Sequence, residues 1–568
     1  MKPADRALAL ELLLLLLALV VYSLLACYFW WVNDDAFISF RYAKNLASGY
    51  GLTYNPSATA PVEGYSNYLW VLVAALFERL GMDVVLWIPL VSFVTGGGLL
   101  LLVWHVCRAW LRFDPWSTLA ATLFLAAFPP YAVWATSGLE TMPFAFCLFL
   151  TFFVLVLSTS PRSGLWAGLA GLLVVLIRAE GVGWCLVVAL CAVFSQARRK
   201  PHFWKHLAVF LAIVLVGAAV QEIWRYSYYG DLIPTTFHVK GSLSGWTLQR
   251  GLSYVIVFYL TFVSSFLSLP GTLYLLRQRQ RVFGGPIVIA YWAPNLYAVL
   301  VGGDFMAMGR FLVPALPFLA LMIGFLTNEI RSRPMSYRNR VLVGAVVCAT
   351  IITGILSIWN LHIVPESVRS VFHFRRNAAV YRSETDQWLA MRRNSRRWAD
   401  VGTALAEYAA PGDSLVEGAI GNIGYYSNLT IYDTNGLVSR EVAELTVEDS
   451  HALRVQDNPP IVANLARRSP GHDKSVPRAF FLDREPTYIY ATLLDAPGLE
   501  SQALSHLTYF RERSEYSQYV PDMMVMQGTE PGQVSRILLV IRRLRPAQDP
   551  ETAWSVFLSR LHALSGEN

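Results

Sequence analysis

The sequence predicts a polytopic α-helical membrane protein with a C-terminal extracytoplasmic α/β domain. Three observations predict it. Hydrophobic residues make up 55% of 568 and charged residues only 15%, with a mean hydropathy of +0.42, a balance too apolar for a soluble chain of this size. The apolar residues are gathered into long runs separated by short polar loops as far as residue 361. Beyond residue 362 the runs give way to charged and alternating segments that read as helices and strands outside lipid.

The charge pattern points the same way. A net charge of +7 would suit a nucleic-acid binder, but the basic residues fall in short clusters between apolar runs, as the positive-inside rule expects. The 18 Trp and 27 Tyr suit interfacial belts. All six cysteines (Cys27, Cys107, Cys147, Cys185, Cys191, Cys348) lie within apolar segments without metal-ligand spacing. They read as inert buried thiols, not as a disulfide frame or zinc site.

The run from Leu12 to Val32 is long enough to span and longer than a signal-peptide core, with no evident small-residue cleavage site, so it is expected to be an uncleaved first helix. Ten further spans are expected near 84–107, 116–134, 140–159, 164–178, 181–196, 206–226, 250–275, 283–301, 311–327 and 340–361, about eleven in all. The shorter segment "SNYLWVLVAALFERL" is taken as an interfacial helix. With this parity every strong basic cluster ("CRAWLR", "SPRSG", "SQARRKPHFWKH", "RQRQR", "RSRPMSYRNR") falls on the side of Lys2 and Arg6. The polar loops, and by parity the domain at 362–568, fall on the other. In that domain "PESVRSVFHFRRNAAVYRSETDQWLAMRRNSRRW" is expected to be helical, "DSLVEGAIGNIGYYSNLTIYDTNG" to be strand, turn and strand, and "RAFFLDR" and "RILLVIRRL" to be strands.

Charged groups beside lipid are costly, so several gathered at one face of a bundle mark a pathway or a reaction centre. The first outer loop, 33–83, carries the strongest case. Asp34 and Asp35 follow the first span at once, so a helix end positions them. A carboxylate there can take a proton from a sugar hydroxyl, or Asp35 can hold a divalent cation against a phosphate. Adjacent side chains rarely point the same way, so one is expected to act and the other to brace it; the plainer alternative is an anion pair marking the water boundary. Arg41, Tyr42, Asn45 and Glu63 add a polar cluster in the same loop. Other outer loops offer partners. "YYGDLIPTTFHVK" brings Asp231, Thr235, Thr236, His238 and Lys240, the last two able to neutralise a phosphate. "GGDFMAMGRFLVP" brings Asp304 and Arg310, which either pair with each other or reach a lipid phosphate. "TSGLET" brings Glu140, with Thr136 or Ser137 as a helix cap, and "RAEG" brings Arg178 and Glu180 as an internal ion pair. Glu417, Asn422 and Tyr425 stand in the last domain as residues able to face the membrane part. No nucleotide fingerprint of the GxGxxG type is present.

Taken in order, these motifs resemble the GT-C glycosyltransferases, polytopic enzymes that use a polyprenyl-phosphate sugar on the outer membrane face. More narrowly, "DDAFISFRYAKN", "VEGYSNYLW", "TSGLET", "YYGDLIPTTFHVK" and "GGDFMAMGRFLVPALP" are similar to the terminal arabinofuranosyltransferases of mycobacterial arabinan synthesis and their relatives, and "GAIGNIGYYSNLTIYDTNGL" to the start of that family's outer domain. The resemblance implies a GT-C-like catalytic domain over 1–361, Asp34 or Asp35 as the catalytic carboxylate, and Lys240 and Arg310 on the donor phosphate, where the residue reading adds His238. It implies a polyprenyl-phosphate donor, a glycan, lipid or protein acceptor, no nucleic acid, and a place in a prokaryotic inner or plasma membrane. A transporter or flippase of lipid-linked sugars is the alternative; it would be expected to show repeated halves or a midplane charge, whereas here the charges gather at one face.

Overall fold

The computed structural model describes residues 3–566 except 59, 159, 196–201, 240–243, 278–282, 333–336, 376–380, 458–470, 472, 497, 528–533 and 547. Helix α1 (Pro3–Tyr28) leads through Asn33 into α2 (Asp34–Ala47), and α3 (Tyr68–Arg79) packs on α2. Then come α4 (Val84–His105), α5 (Pro115–Ala126), α6 (Pro129–Trp134), α7 (Thr141–Phe152), α8 (Ser163–Ile177), α9 (Gly181–Phe194) and α10 (Phe203–Tyr229). The short α11 (Thr235–Val239) precedes α12 (Gly245–Thr261), α13 (Ser268–Arg277), α14 (Gly284–Leu300), α15 (Leu316–Ser332) and α16 (Tyr337–Ile358).

By length and composition, four described stretches can cross a membrane: Ala9–Tyr28, Val84–Trp110, Phe203–Tyr229 and Arg310–Ser332. A fifth is available if α12 and α13, bent by 99° at their junction, count as one span. Four more apolar helices are shorter: Pro115–Ala126, Thr141–Leu157, Ser163–Ile177 and Gly181–Phe194. Helix length alone therefore gives fewer crossings than the eleven the sequence predicts, because several expected spans are interrupted. The run at 116–134 divides at Phe128, where Pro129 and Pro130 start a new helix; the run at 250–275 breaks at Phe262. The interfacial segment at 66–80 does form a short helix, α3.

At one end of the bundle Arg108 pairs with Glu11, and Arg331 Nε donates to Asp114 at 3.0 Å. The opposite end holds α2, the α6–α7 turn, the α8–α9 turn, α11 and the Gly302–Arg310 loop.

The C-terminal part is built on α17 (Glu366–Arg369), α18 (Glu384–Tyr408), α19 (Ile420–Ser427) and a five-stranded mixed sheet. Its strands are β1 (Ser414–Glu417), β2 (Thr430–Asp433), β3 (Tyr488–Asp495), β4 (Tyr519–Gln527) and β5 (Val534–Arg543), in the order β2-β1-β3-β5-β4. β1 runs parallel to β2 and β3, while β5 is antiparallel to β3 and β4. Alternation along β5 buries both faces: Ile537, Leu539 and Ile541 join the domain's own core, and Leu538 and Val540 join the core shared with the bundle. Two expectations need correction. The segment between β1 and β2 is a helix, not a turn, because parallel neighbours require a crossover. "RAFFLDR" is a 3₁₀ helix (Arg478–Arg484), not a strand; its apolar run is cut off by Arg478 and Asp483 and buries only Phe481.

The two parts meet at α2 and α19. Gly421 sits so close to the Asp34 carbonyl that an added Cβ would collide with it, and Arg41 donates to the Gly424 and Leu429 carbonyls. A Gly421→Ala variant is expected to lose roughly 1–3 kcal/mol of stability, read as a lower unfolding midpoint in detergent; an unchanged midpoint would show that the fold does not depend on this approach.

Candidate active site

Helix α2 begins where α1 ends. Asn33 caps it, its side chain accepting from the Asp35 amide at 3.1 Å, and two carboxylates in the first turn complement the positive end of the helix. Successive helical residues diverge by about 100°, and the structure separates the two acids accordingly. Asp34 faces the C-terminal domain: its Oδ1 accepts from the backbone amide and from Nδ2 of Asn422, both at 2.8 Å. Asn422 Nδ2 also reaches Ser395 Oγ at 3.0 Å, and Ser395 Oγ donates to the Val32 carbonyl at 2.8 Å. Burial pushes the Asp34 carboxyl up to about 6, against the pull of those Asn422 donors.

Asp35 lines a cavity of about 440 Å³ between the bundle and the C-terminal domain. Its charged lining is Asp35, Glu140, Glu180 and Asp304 with Arg178 and Arg310. Arg310 Nε donates to Asp304 Oδ2 at 2.7 Å. Arg178 bridges two acids, Nη1 to Glu140 Oε1 at 2.8 Å and Nε to Glu180 Oε1 at 2.7 Å. Phe311 lies near both guanidinium groups, 5.2 Å from Arg310 and 5.9 Å from Arg178. Asp35 is close enough to be among the charges that act on Arg310. A guanidinium carries five N–H donors, so each of these pairs leaves donors over for an anion in the cavity. The second carboxylate oxygen of Glu140 accepts from Asn67 Nδ2 at 3.0 Å, and Asn67 is tied to Ser39 at 3.1 Å. Tyr297 donates to Glu180 at 3.1 Å. Asn435 and Leu437, after β2, complete the wall from the C-terminal side.

The remaining predicted residues that the structure describes, Thr236 apart, lie outside this lining. Arg41 binds backbone carbonyls of the docking segment and stacks 4.2 Å from the Tyr54 ring. Tyr42 donates to the Val62 carbonyl at 2.5 Å, and Asn45 to the Thr53 carbonyl at 2.7 Å, so both brace the first loop. Glu63 pairs with Arg225 at 2.8 Å, its carboxyl pushed up to about 7 by burial. Thr235 donates its amide to the Glu63 carbonyl at 3.1 Å; its neighbour Thr236 lines the cavity instead. Asp231 and His238 face each other at 3.2 Å, both partly exposed. Lys240 lies outside the described residues. The cap expected of Thr136 or Ser137 is not made: Glu140 itself occupies the N-cap of α7, and Ser137 donates to the Trp134 carbonyl. Tyr425 donates to Glu78 at 2.9 Å across the domain junction, as Asn422 does to Asp34, whereas Glu417 pairs with Arg478. Among the described residues no group of three or more His, Cys, Asp and Glu is placed to hold a metal ion. From sequence, Arg178 and Glu180 read as a mere ion pair; their charge at the end of a span was the signal that they belong to the site.

The fold is similar to that of the crystal structure of ArnT from Cupriavidus metallidurans bound to undecaprenyl phosphate, with a TM-score of 0.53 at 14% identity over 93% of this chain and 97% of that one. ArnT in the apo state gives 0.52 at 15% identity, over 94% and 98% of the two chains. At such identities the likeness is one of fold alone. In sequence the chain is similar to the terminal β-(1→2)-arabinofuranosyltransferase of Mycobacterium tuberculosis, 28% identical over 341 residues. It spans about half the length of that curated relative, 52% of each chain being covered. A family model described as a domain of unknown function (DUF8728) matches residues 386–556.

Because Asp34 in the folded chain holds its proton up to about pH 6, while an unfolded Asp releases it near 4, folding binds protons between those values. Stability of the wild type relative to Asp34→Asn is therefore expected to fall as pH rises from about 4 to 6 and to stay level above that. Thermal midpoints of both proteins across this range check it; a flat difference would contradict the burial of Asp34.

Proposed function

We propose that the chain is a membrane glycosyltransferase that moves a sugar, arabinofuranose, from a polyprenyl-phosphate donor to an envelope acceptor on the outer face, where the C-terminal domain lies. One observation carries the reading: Asp35, Arg178 and Arg310 share one cavity, while Asp34 is engaged in docking. The undecaprenyl phosphate in the ArnT structure supports a lipid phosphate as the bound class, and the arabinofuranosyltransferase activity of the mycobacterial relative supports the sugar.

The chemistry follows from the charges. The donor keeps its isoprenoid tail in the bilayer and presents phosphate and sugar at the interface. Asp35 takes the proton from an acceptor hydroxyl as that oxygen bonds to the anomeric carbon. The bond from that carbon to the phosphate oxygen breaks, and polyprenyl phosphate departs with the electron pair. Arg310 and Arg178 hold the charge that builds on the leaving phosphate, in a site where little water competes. Glu140, Glu180 and Asp304 hold the two guanidinium groups in place. Because the leaving group is a phosphate monoester already in the membrane, no nucleotide is required on that face.

Purified protein in lipid vesicles, given polyprenyl-phosphate arabinofuranose and an arabinose oligosaccharide, is expected to extend the acceptor. Asp35→Asn is expected to lower the rate roughly 10²- to 10⁴-fold, whereas Asp34→Asn keeps measurable transfer per folded molecule. Full activity of Asp35→Asn would overturn the assignment of the base. Arg310→Gln is expected to raise the donor KM about tenfold or more, in line with the loss of a charge-assisted hydrogen bond of about 1.5–3 kcal/mol; an unchanged donor KM would remove Arg310 from the phosphate site.

A further inference from the structure

The loop that carries Asp304 and Arg310 is held in an unusual shape. Gly302, Gly303, Met308 and Gly309 all have positive φ, at 80°, 75°, 59° and 60°. Methionine rarely adopts that region, and the Phe258 ring lies where a Cβ on Gly309 would stand. Such a conformation persists only when its surroundings over-determine it. Arg250 Nε donates to the Gly302 carbonyl at 3.1 Å and Trp134 Nε1 to the Met308 carbonyl at 3.3 Å, but the middle of the loop is held chiefly by a buried ion pair that does not line the cavity. Arg375 and Glu384 are paired in a fork, Nη1 to Oε1 at 2.7 Å and Nη2 to Oε2 at 3.0 Å. Arg375 Nε also donates to the Phe305 carbonyl at 2.7 Å and Nη2 to the Met306 carbonyl at 3.0 Å. Glu384 Oε2 accepts the Met308 amide at 2.6 Å. The loop backbone is thereby gripped at Phe305, Met306 and Met308 by one ion pair.

Glu384 is the first residue of α18, whose N-cap Ser383 is bound to Asn360 Oδ1 at 2.6 Å, just after α16. α18 in turn packs on α2, α19 and the sheet. The grip on the loop thus belongs to the junction that seats the C-terminal domain.

We propose that Arg375 and Glu384 are positioning residues: their ion pair sets the Gly302–Arg310 loop so that Arg310 meets a donor phosphate, and makes that site depend on the docking of α18. The inference rests on the glycosyltransferase reading for its ligand, but not for its structural half. Glu384→Gln keeps shape and removes the charge; Arg375→Lys keeps charge and loses the fork, which leaves a second route if the first variant does not accumulate. Amide hydrogen exchange in peptides covering 302–311 is expected to quicken roughly 10- to 100-fold in either variant, with α15 unchanged. Affinity for undecaprenyl phosphate is expected to weaken by a similar factor of roughly 10 to 100, with Arg375→Lys the milder.

Unchanged loop exchange would overturn the grip. Faster exchange with unchanged affinity would overturn the positioning role. If the wild type binds no undecaprenyl phosphate, the proposed donor falls, and the exchange measurement still decides whether this pair holds the loop.

Discussion

The first turn of α2 is the constraint on which the rest depends. It places two carboxylates at the point where the chain leaves lipid, and helical geometry forbids them to face the same way. Asp34 is turned into the domain junction, where the amide and side chain of Asn422 hold it. Asp35 is thereby turned into the cavity. A loop could let the two acids exchange roles; a capped helix cannot. The Ser137 carbonyl, which accepts from the Asn33 amide, fixes the turn from the other side.

Around that turn the fold solves a problem of buried charge. Arg178, Arg225, Arg310 and Arg375 are each less than a tenth exposed, and each is matched by at least one carboxylate within 3 Å. An unmatched guanidinium in such surroundings would cost several kcal/mol. The pairs differ in what they touch. Arg178 and Arg310 face the cavity; Arg225 and Arg375 stand behind it, holding the Glu63 segment and the Gly302–Arg310 loop in place. The same interaction thus serves both as a wall of the site and as its support.

Much of this was legible in the sequence because it depends on local order. An apolar run followed by "NDD" announces a span and a helix start; "RAEG" announces a charged turn between spans; "RILLVIRRL" announces a strand as a short continuous apolar run. Other features were not legible, for reasons that are equally physical. Arg41, Tyr42, Asn45 and Glu63 are polar and close to the acids in sequence, yet their side chains turn to backbone carbonyls and to Arg225, which lies far along the chain. "GAIGNIGYYSN" reads as a turn because of its glycines, but the glycines serve close approach: Gly421 admits the Asp34 carbonyl and Gly424 the Tyr54 hydroxyl. Arg375 and Glu384 lie in a charged stretch that looks solvated, and only their meeting with the Met308 amide gives them a task.

By itself the sequence determined the membrane class and the presence of a carboxylate pair at a helix start, since hydropathy and capping act within a few residues. Which of the two acids enters the cavity, which arginines share it, and that the C-terminal domain closes one wall were decided only by the tertiary structure. Those outcomes depend on contacts between segments hundreds of residues apart, such as Asn422 with Asp34, and no local pattern encodes the partner at the far end of such a contact.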